Sequence, residues 1–326
     1  MSVLVGHDLG VVTMFRDEAP YLVEWAEYHL LAGVTRFWLY DHLSTDASLD
    51  VLAPYVASGA VTVVPWPRPY APGDLDARRR AQMAAIRDGL RRAVGEVGWA
   101  AVIDVDEFLL PMRDRTVTEC LTARYGDAAG VYANWRMFGT GGVLVSEGEP
   151  LLDRLTACSL PGHPENWTGK SVVRPEAVDI DRVWYPHHFP LLPGVRYQDG
   201  GGQDIPRDGR GNVVIRAGYR DEYLRVNHYT LRDEGFYRAR RLRDAMAGQL
   251  NKSMALLLEH HDSFSRTRDV AILDFLARRR AADGVDGADG VDGAVDGAVV
   301  QASVPTPPRR SPRVSIDASR VMPRRR

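Results

Sequence analysis

Ala100-Ala-Val-Ile-Asp104-Val-Asp106-Glu107-Phe108 is the stretch whose reading decides the fold. A run of small and branched apolar residues ends abruptly in three carboxylates. Such a run reads as a strand from Trp99 to Val105 covered on both faces, as strands of a parallel sheet are. The charges that follow cannot be buried without a partner. A divalent cation carrying phosphates would compensate them, and hard oxygen ligands suit Mg2+ or Mn2+. Alternation along the strand end predicts Asp104 and Asp106 on one side. The competing reading is a solvated turn, because an Asp-x-Asp pair alone is a weak motif.

Upstream of this strand the pattern alternates. Leu9 to Phe15 reads as a strand, Tyr21 to Ala32 as a helix ended by Gly33, and Arg36 to Tyr40 as a strand. Leu49 to Ser58 reads as a helix closed by Gly59, Val61 to Val64 as a strand, and Asp76 to Val97 as a long helix. Alternating strands and helices predict an α/β fold with a Rossmann-like, mostly parallel central sheet flanked by helices. Ligands then belong at the carboxyl ends of the strands. Two further polar loops fall there: Phe15-Arg16-Asp17-Glu18 after the first strand, and Asp41 to Asp46 after the second. Asp46, with Ser44 and Thr45, reads as a cap for the following helix, and Asp41 as a site residue.

Downstream the pattern is less regular. Gly130 to Met137 and Ser171 to Val173 read as strands, Leu160 to Asn166 as a loop, and Leu224 to Tyr229 as the last strand. Tyr185 to Pro190 carries His187 and His188, of which alternation lets only one enter a site. Gly200 to Gly211 reads as a mobile Gly/Asp segment. Glu234 to Ala247 is an Arg-rich amphipathic helix, and its Phe236 to Arg243 part could lie on an anionic membrane or present a solvated face. Val270 to Arg280 is the final helix. From Ala281 the chain turns to Val-Asp-Gly and Ala-Asp-Gly units, then Pro and Arg, a composition that predicts a disordered tail over 281–326. The expected organisation is therefore a domain over 1–280, with a ligand-binding βα half over 1–112 and a less regular half over 113–280, followed by that tail.

With 326 residues, 45% of them hydrophobic, the chain can bury a large core. Its formal net charge of -2 gives no global field for nucleic acid. Arginine far outnumbers lysine, and Ala, Gly, Val and Asp are abundant, a bias typical of high-GC bacterial genomes. Two cysteines, Cys120 and Cys158, without a Cys/His cluster, predict neither a disulfide framework nor a zinc site. The first residues lack a signal-peptide pattern, and no apolar run reaches the roughly 20 residues of a membrane span, so a cytoplasmic location is expected.

Ordered blocks carry a resemblance. Phe15-Arg-Asp-Glu-Ala-Pro-Tyr-Leu-Val-Glu-Trp25 with Tyr28-His29 and Gly33-Val34, then Phe37-Trp-Leu-Tyr-Asp41 and Ser44-Thr-Asp46, resemble the opening of glycosyltransferase family 92 and its bacterial family-2-like relatives. Ala81-Gln82 to Asp88-Gly-Leu90, Asp104-Val-Asp-Glu-Phe108, Trp167-Thr-Gly-Lys170-Ser-Val-Val-Arg174-Pro175 and Asn227-His228-Tyr229 continue it over roughly residues 8 to 245. Arg16-Asp17 departs from the commoner Lys-Asn, and Gly200 to Gly211 matches no block. The resemblance implies a GT-A fold, a nucleotide-sugar donor, a Mn2+-type metal (or Mg2+), and inverting transfer of a hexose, often galactose from UDP-galactose, to a glycan or glycoconjugate. It implies Arg16, Glu18, Asp41, Gln82, Asp104 and Arg174 at the nucleotide-sugar, and Asp104, Asp106 and His228 at the metal.

Inverting transfer needs positive charge at the leaving diphosphate and a base for the acceptor hydroxyl. Lys170, with Arg174 as a second candidate, is expected in the first role. For the second the candidates are Glu165, Asp153 and Glu176, with Glu165 favoured because Trp167 beside it offers a face for a sugar ring. Two other classes compete: a nucleotide-sugar-binding protein without turnover, and a metal-dependent nucleotidyltransferase. Intact Asp104, Asp106 and His228 argue against the first. The lack of a Gly-rich phosphate loop near Gly10 argues against the second.

Overall fold

A computed structural model describes residues 8–71, 73–144, 149–208, 213–214, 218–239 and 254–286. The first part is a succession of parallel strands and covering helices: β1 (Leu9–Phe15), α1 (Ala19–Leu31), β2 (Val34–Asp41), α2 (Ser48–Ala57), β3 (Val61–Pro65), α3 (Leu75–Ala93) and β4 (Trp99–Val102). These strands lie in the order β3-β2-β1-β4, every neighbouring pair parallel. Alternation within β1 sends Leu9 and Val11 to one core and Val12 to the other, so the strand is buried on both faces. One face packs Leu22, Trp25 and Ala26 of α1, and the other packs Met83, Ile86 and Leu90 of α3. Gly89 lets α3 approach β1 closely, since a Cβ there would lie 2.3 Å from a Val12 methyl.

The second part continues the same sheet with mixed direction. It contains β5 (Glu107–Pro111), α4 (Val117–Arg124), β6 (Ala128–Met137), α5 (Leu151–Arg154), β7 (Ala157–Cys158), β8 (Gly169–Val173), β9 (Arg196–Asp199) and β10 (Leu224–His228). Next come α6 (Met254–Ser263), β11 (Thr267–Arg268) and α7 (Ala271–Asp286). Beyond β4 the order runs β8-β6-β10-β5. Strand β8 is antiparallel to both neighbours, whereas β6 and β10 are parallel. Gly169 allows the close β8–β6 contact, because a Cβ there would lie 2.1 Å from the Ala133 carbonyl oxygen. The expected α/β architecture, with a mostly parallel central sheet flanked by helices, is the one the chain adopts.

Several boundaries move for physical reasons. The strand expected to Val105 stops at Val102, where its pairing with β1 ends at Val12. The Thr13 hydroxyl then donates to the Ile103 carbonyl at 2.7 Å, and Glu107 N donates to Asp104 O at 3.1 Å to close a turn. Asp104 and Asp106 therefore belong to a β4–β5 turn rather than to one face of a strand. Helix α3 stops at Ala93 rather than Val97, because Val94 leaves helical geometry and Gly95 takes φ +77°. Residues 185–190 lie outside any strand, with bends at 186 and 187. The cap assigned to Asp46 is divided: Ala47 is the N-cap of α2, while Asp46 accepts from Ser48 N at 2.9 Å and from Ala19 N of α1 at 2.9 Å.

The chain divides into two units, Met1–Gly284 and Val285–Arg326. Residues 281–286, expected in the tail, are helical, and the rest of the tail lies outside the described residues. Of the Arg-rich helix over 234–247, residues 234–239 are helical and the others lie outside the described residues, as does 209–212 of the Gly/Asp segment. Among the described residues no helix is long and apolar enough to cross a membrane.

Candidate active site

A cleft of about 540 Å³ opens at the carboxyl edge of the parallel strands. Phe15, Arg16 and Glu18 reach it from the end of β1, His42 from the end of β2, and Asp104 to Asp106 from the turn after β4. Trp135 of β6, Lys170 of β8 and His228 of β10 form the opposite wall, with His187 beside them. Arg78 and Gln82 of α3, Tyr70, Arg232 and Phe236 complete the rim.

The floor is an ionic group built around one buried lysine. Lys170 is 2% exposed, and its Nζ lies 2.7 Å from Asp104 Oδ2 and 3.3 Å from Glu107 Oε2. Burial opposes the Lys170 charge, but the two carboxylates outweigh it and raise its pKa above the ordinary value. Burial raises Asp104, yet the Lys170 charge and hydrogen bond bring it below the usual carboxylate value. Burial drives Glu107 well up; Lys170 pulls the other way, and the neighbouring Asp104 and Asp106 add to the rise. Glu107 Oε2 also accepts from Asp104 N at 2.8 Å, which ties the turn to the strand after it. Lys170 was expected at the leaving diphosphate; instead its ammonium is committed to Asp104 and Glu107.

The wall above this floor carries nitrogen donors and acceptors. His228 Nε2 faces Asp106 Oδ1 at 3.7 Å and Glu107 Oε1 at 3.9 Å, and its ring lies 4.4 Å from that of Trp135. His187 Nδ1 lies 3.0 Å from the Gly169 carbonyl oxygen, which assigns the proton to Nδ1 and leaves Nε2 as an acceptor. Burial, then the Lys170 charge, lowers His187 to about 4, so the ring is neutral at neutral pH. Among the described residues no group of three or more His, Cys, Asp or Glu side chains is arranged to hold a metal ion. Asp106 and His228 face each other across the gap.

Of the residues expected at the nucleotide-sugar, at the metal or in catalysis, Arg16, Glu18, Gln82, Asp104, Asp106, Lys170 and His228 all line the cleft. Three others do not. The Asp41 carboxylate turns back to accept from Ser44 N at 3.0 Å, and the next residue, on the other side of the alternating chain, enters the cleft as His42. Arg174 donates to the carbonyls of Ala128 at 3.0 Å and Gly126 at 3.2 Å and stacks on Trp99. The cause is direction: β8 runs antiparallel to β4, so Lys170 lies at the cleft edge and Arg174 at the opposite one. Glu165 sits on the 3₁₀ turn Pro164–Trp167, with His260 Nε2 at 3.4 Å, away from the cleft lining.

Sequence reasoning missed Trp135, Arg78 and Arg232. Arg232 is 2% exposed, adopts φ +51°, pairs with Glu18 Oε2 at 2.7 Å and lies 3.8 Å over the Tyr21 ring. A non-glycine residue in that region is strained, a feature concentrated at functional sites. Its one sequence signal is position, four residues after His228.

The sequence profile of glycosyltransferase family 92 matches residues 10–198. A family 92 protein of Ricinus communis is 32% identical over 203 residues, 59% of this chain and 32% of that protein. One of Oryza sativa is 30% identical over 197 residues, 59% of this chain and 31% of that protein. The chain thus spans about a third of the length of the curated relatives it matches. These relatives are plant proteins, which does not bear out the bacterial source suggested by composition. Among solved structures the chain is similar to S. aureus TarS in complex with UDP, at 13% identity and TM-score 0.36 over 86% of this chain and 74% of that one. It is also similar to glucosyl-3-phosphoglycerate synthase from Mycobacterium tuberculosis in complex with Mn2+, UDP and glucosyl-3-phosphoglycerate, at 20% identity and TM-score 0.29 over 52% and 58%. With a profile match covering more than half its length, the chain belongs to glycosyltransferase family 92.

Proposed function

We propose that this chain transfers a hexosyl group from a nucleotide-sugar, with UDP as the nucleotide, to a hydroxyl of a glycan or glycoconjugate, with inversion. Family membership supports the reaction class, and one observation carries the site: Asp106 Oδ1 and His228 Nε2, from different elements, face each other at 3.7 Å in the cleft. A carboxylate and an imidazole form a donor set for Mn2+ or Mg2+ that substrate phosphate oxygens would complete. Such an ion would neutralise charge developing on the leaving diphosphate.

The remaining roles belong to the chain's own side chains. Lys170 holds Asp104 in place, and the 41% exposed Asp104 carboxylate accepts from a ribose or sugar hydroxyl. Arg16 and Gln82 contact the nucleotide from the β1 and α3 sides. His187, with Nε2 left as an acceptor, receives a hydrogen bond from the acceptor hydroxyl and orients it.

The test is product analysis with UDP-, GDP- and TDP-sugars, with and without Mn2+. Nucleoside diphosphate release and a new glycosidic or hydrolysed product, both dependent on the metal, are expected. UDP binding without turnover, or release of pyrophosphate, would overturn the reading.

A further inference from the structure

A second groove lies beside the cleft and shares two of its walls. Arg79, Arg80, Met83, Arg87 and Trp184 line it, enclosing about 540 Å³. One turn of α3 supplies Arg78 and Gln82 to the cleft and Arg79, Arg80 and Met83 to this groove. The other shared wall is the segment after Val183, with Trp184 on the groove and Pro186 and His187 on the cleft.

The groove is built rather than incidental. Arg87 donates from Nε and Nη2 to the Val183 carbonyl at 2.8 and 2.6 Å, which pins the backbone immediately before Trp184. Trp184 is nevertheless 57% exposed, and among the described residues the aromatic rings near it are Tyr185 and His188, at 5.5 and 6.4 Å. Arg79 pairs with exposed Asp76 at 3.2 Å, and among the described residues no carboxylate pairs with Arg80. A local cationic surface with an exposed indole stands out in a chain whose net charge is only -2. An indole face packs on the apolar face of a sugar ring. Guanidinium groups bind carboxylate or phosphate through paired hydrogen bonds.

We propose that this groove is an acceptor subsite and that the acceptor is an anionic glycan, whose sugar ring stacks on Trp184 and whose acidic groups sit against Arg79 and Arg80. The chain of the acceptor then runs along α3 and the Trp184 segment to present a hydroxyl at His187. The proposal rests on the reading of the cleft as a transferase site.

The test is calorimetric titration of the full chain with hexagalacturonate, with neutral maltohexaose, and with UDP. At low salt hexagalacturonate is expected to bind at least about tenfold more tightly than maltohexaose, with the difference shrinking as salt rises. Arg79→Glu with Arg80→Glu abolishes that preference and leaves UDP affinity and thermal stability unchanged. Trp184→Ala weakens both glycans. Equal binding of the two glycans by a chain that binds UDP overturns the proposal. So does undiminished hexagalacturonate binding by the double variant, or co-sedimentation with phosphatidylglycerol-containing vesicles in place of glycan binding. Hexagalacturonate binding, lost in the double variant, without any UDP binding supports the groove and overturns the donor reading instead.

Discussion

Two buried cations, Lys170 on β8 and Arg225 on β10, are each 2% exposed and each sit between two carboxylates. Arg225 is saturated. Its Nη1 meets Asp221 at 3.1 Å, its Nη2 meets Asp269 at 2.8 Å, and its Nε donates to Asn227 at 2.8 Å. Asp269 also accepts from Ala271 N at 3.0 Å and so fastens the start of α7. The Lys170 group is open. Asp104 is 41% exposed to the cleft, and Glu107 Oε1 is buried with no hydrogen-bond partner among the described residues. Similar charges therefore serve different ends. The closed group holds elements together, and the open one keeps a carboxylate presented where a ligand binds. The residue types agree with this division: Arg offers enough donors to fill a closed site, whereas Lys, present only at 170 and 252, is a compact point charge.

Removing Arg225 tests the closed group and has the largest expected effect. Arg225→Ala leaves Asp269 and Asp221 without their cation, a loss of about 3–5 kcal/mol of folding stability. Urea denaturation reads it, and turnover per folded molecule stays at the wild-type level. A loss below about 1 kcal/mol would erase the contrast between the two groups.

Lys170→Met tests the open group. Its stability loss is expected at about 1–3 kcal/mol, because Glu107 can take a proton and Asp104 can reach water. Turnover is expected to fall much further, by about 10²-fold or more, through loss of Asp104 positioning. Steady-state kinetics beside denaturation separates the two effects. A variant that loses stability but not turnover would make Lys170 a second Arg225.

Acid separates the histidines from both ionic groups. His29 is fully buried, with Nδ1 at 2.8 Å from the Trp25 carbonyl and Nε2 placed to accept from Leu109 N at 3.4 Å. Burial lowers it to about 4, and burial with Lys170 lowers His187 to about 4 as well. An unfolded imidazole titrates near 6.5, so the unfolded chain takes up protons first as pH falls. Stability is therefore full above about pH 6.5 and is lost as pH falls towards 4. Asp104 and Asp269, both depressed, contribute their losses only below the ordinary carboxylate range. Melting temperature against pH should fall through that upper window, and His29→Gln should flatten the fall. An unchanged slope in that variant would remove His29 as its source.

The smallest effect belongs to Glu165. Because it does not line the cleft, Glu165→Gln is expected to leave turnover within about twofold of wild type. A loss of 10²-fold would return it to the reaction as the acceptor base.

Much of the fold was legible in the sequence. The continuous apolar runs at Leu9–Phe15 and Trp99–Val102 announced strands covered on both faces, and Gly33 and Gly59 marked where helices end. The site was legible where a polar loop follows a parallel strand, as at Arg16, Glu18, Asp104 and Asp106. It was illegible where strand direction reverses. Lys170 and Arg174 look equivalent in sequence, yet antiparallel β8 puts them at opposite edges of the sheet. Local alternation likewise could not tell Asp41 from His42, because the Asp41 carboxylate was claimed by its own turn.

The sequence by itself determined the βα order, the two-faced core and the presence of carboxylates at a strand end, since these depend on periodicity and composition over short windows. Only the tertiary structure decided what neutralises those carboxylates. Lys170 lies 66 residues from Asp104 along the chain and 2.7 Å from it in space. Arg232 meets Glu18, and the Val183 carbonyl meets Arg87 of α3, by equally long-range placement. Coulombic and hydrogen-bond energies depend on separation in space and on exclusion of water, and neither is written in local pattern.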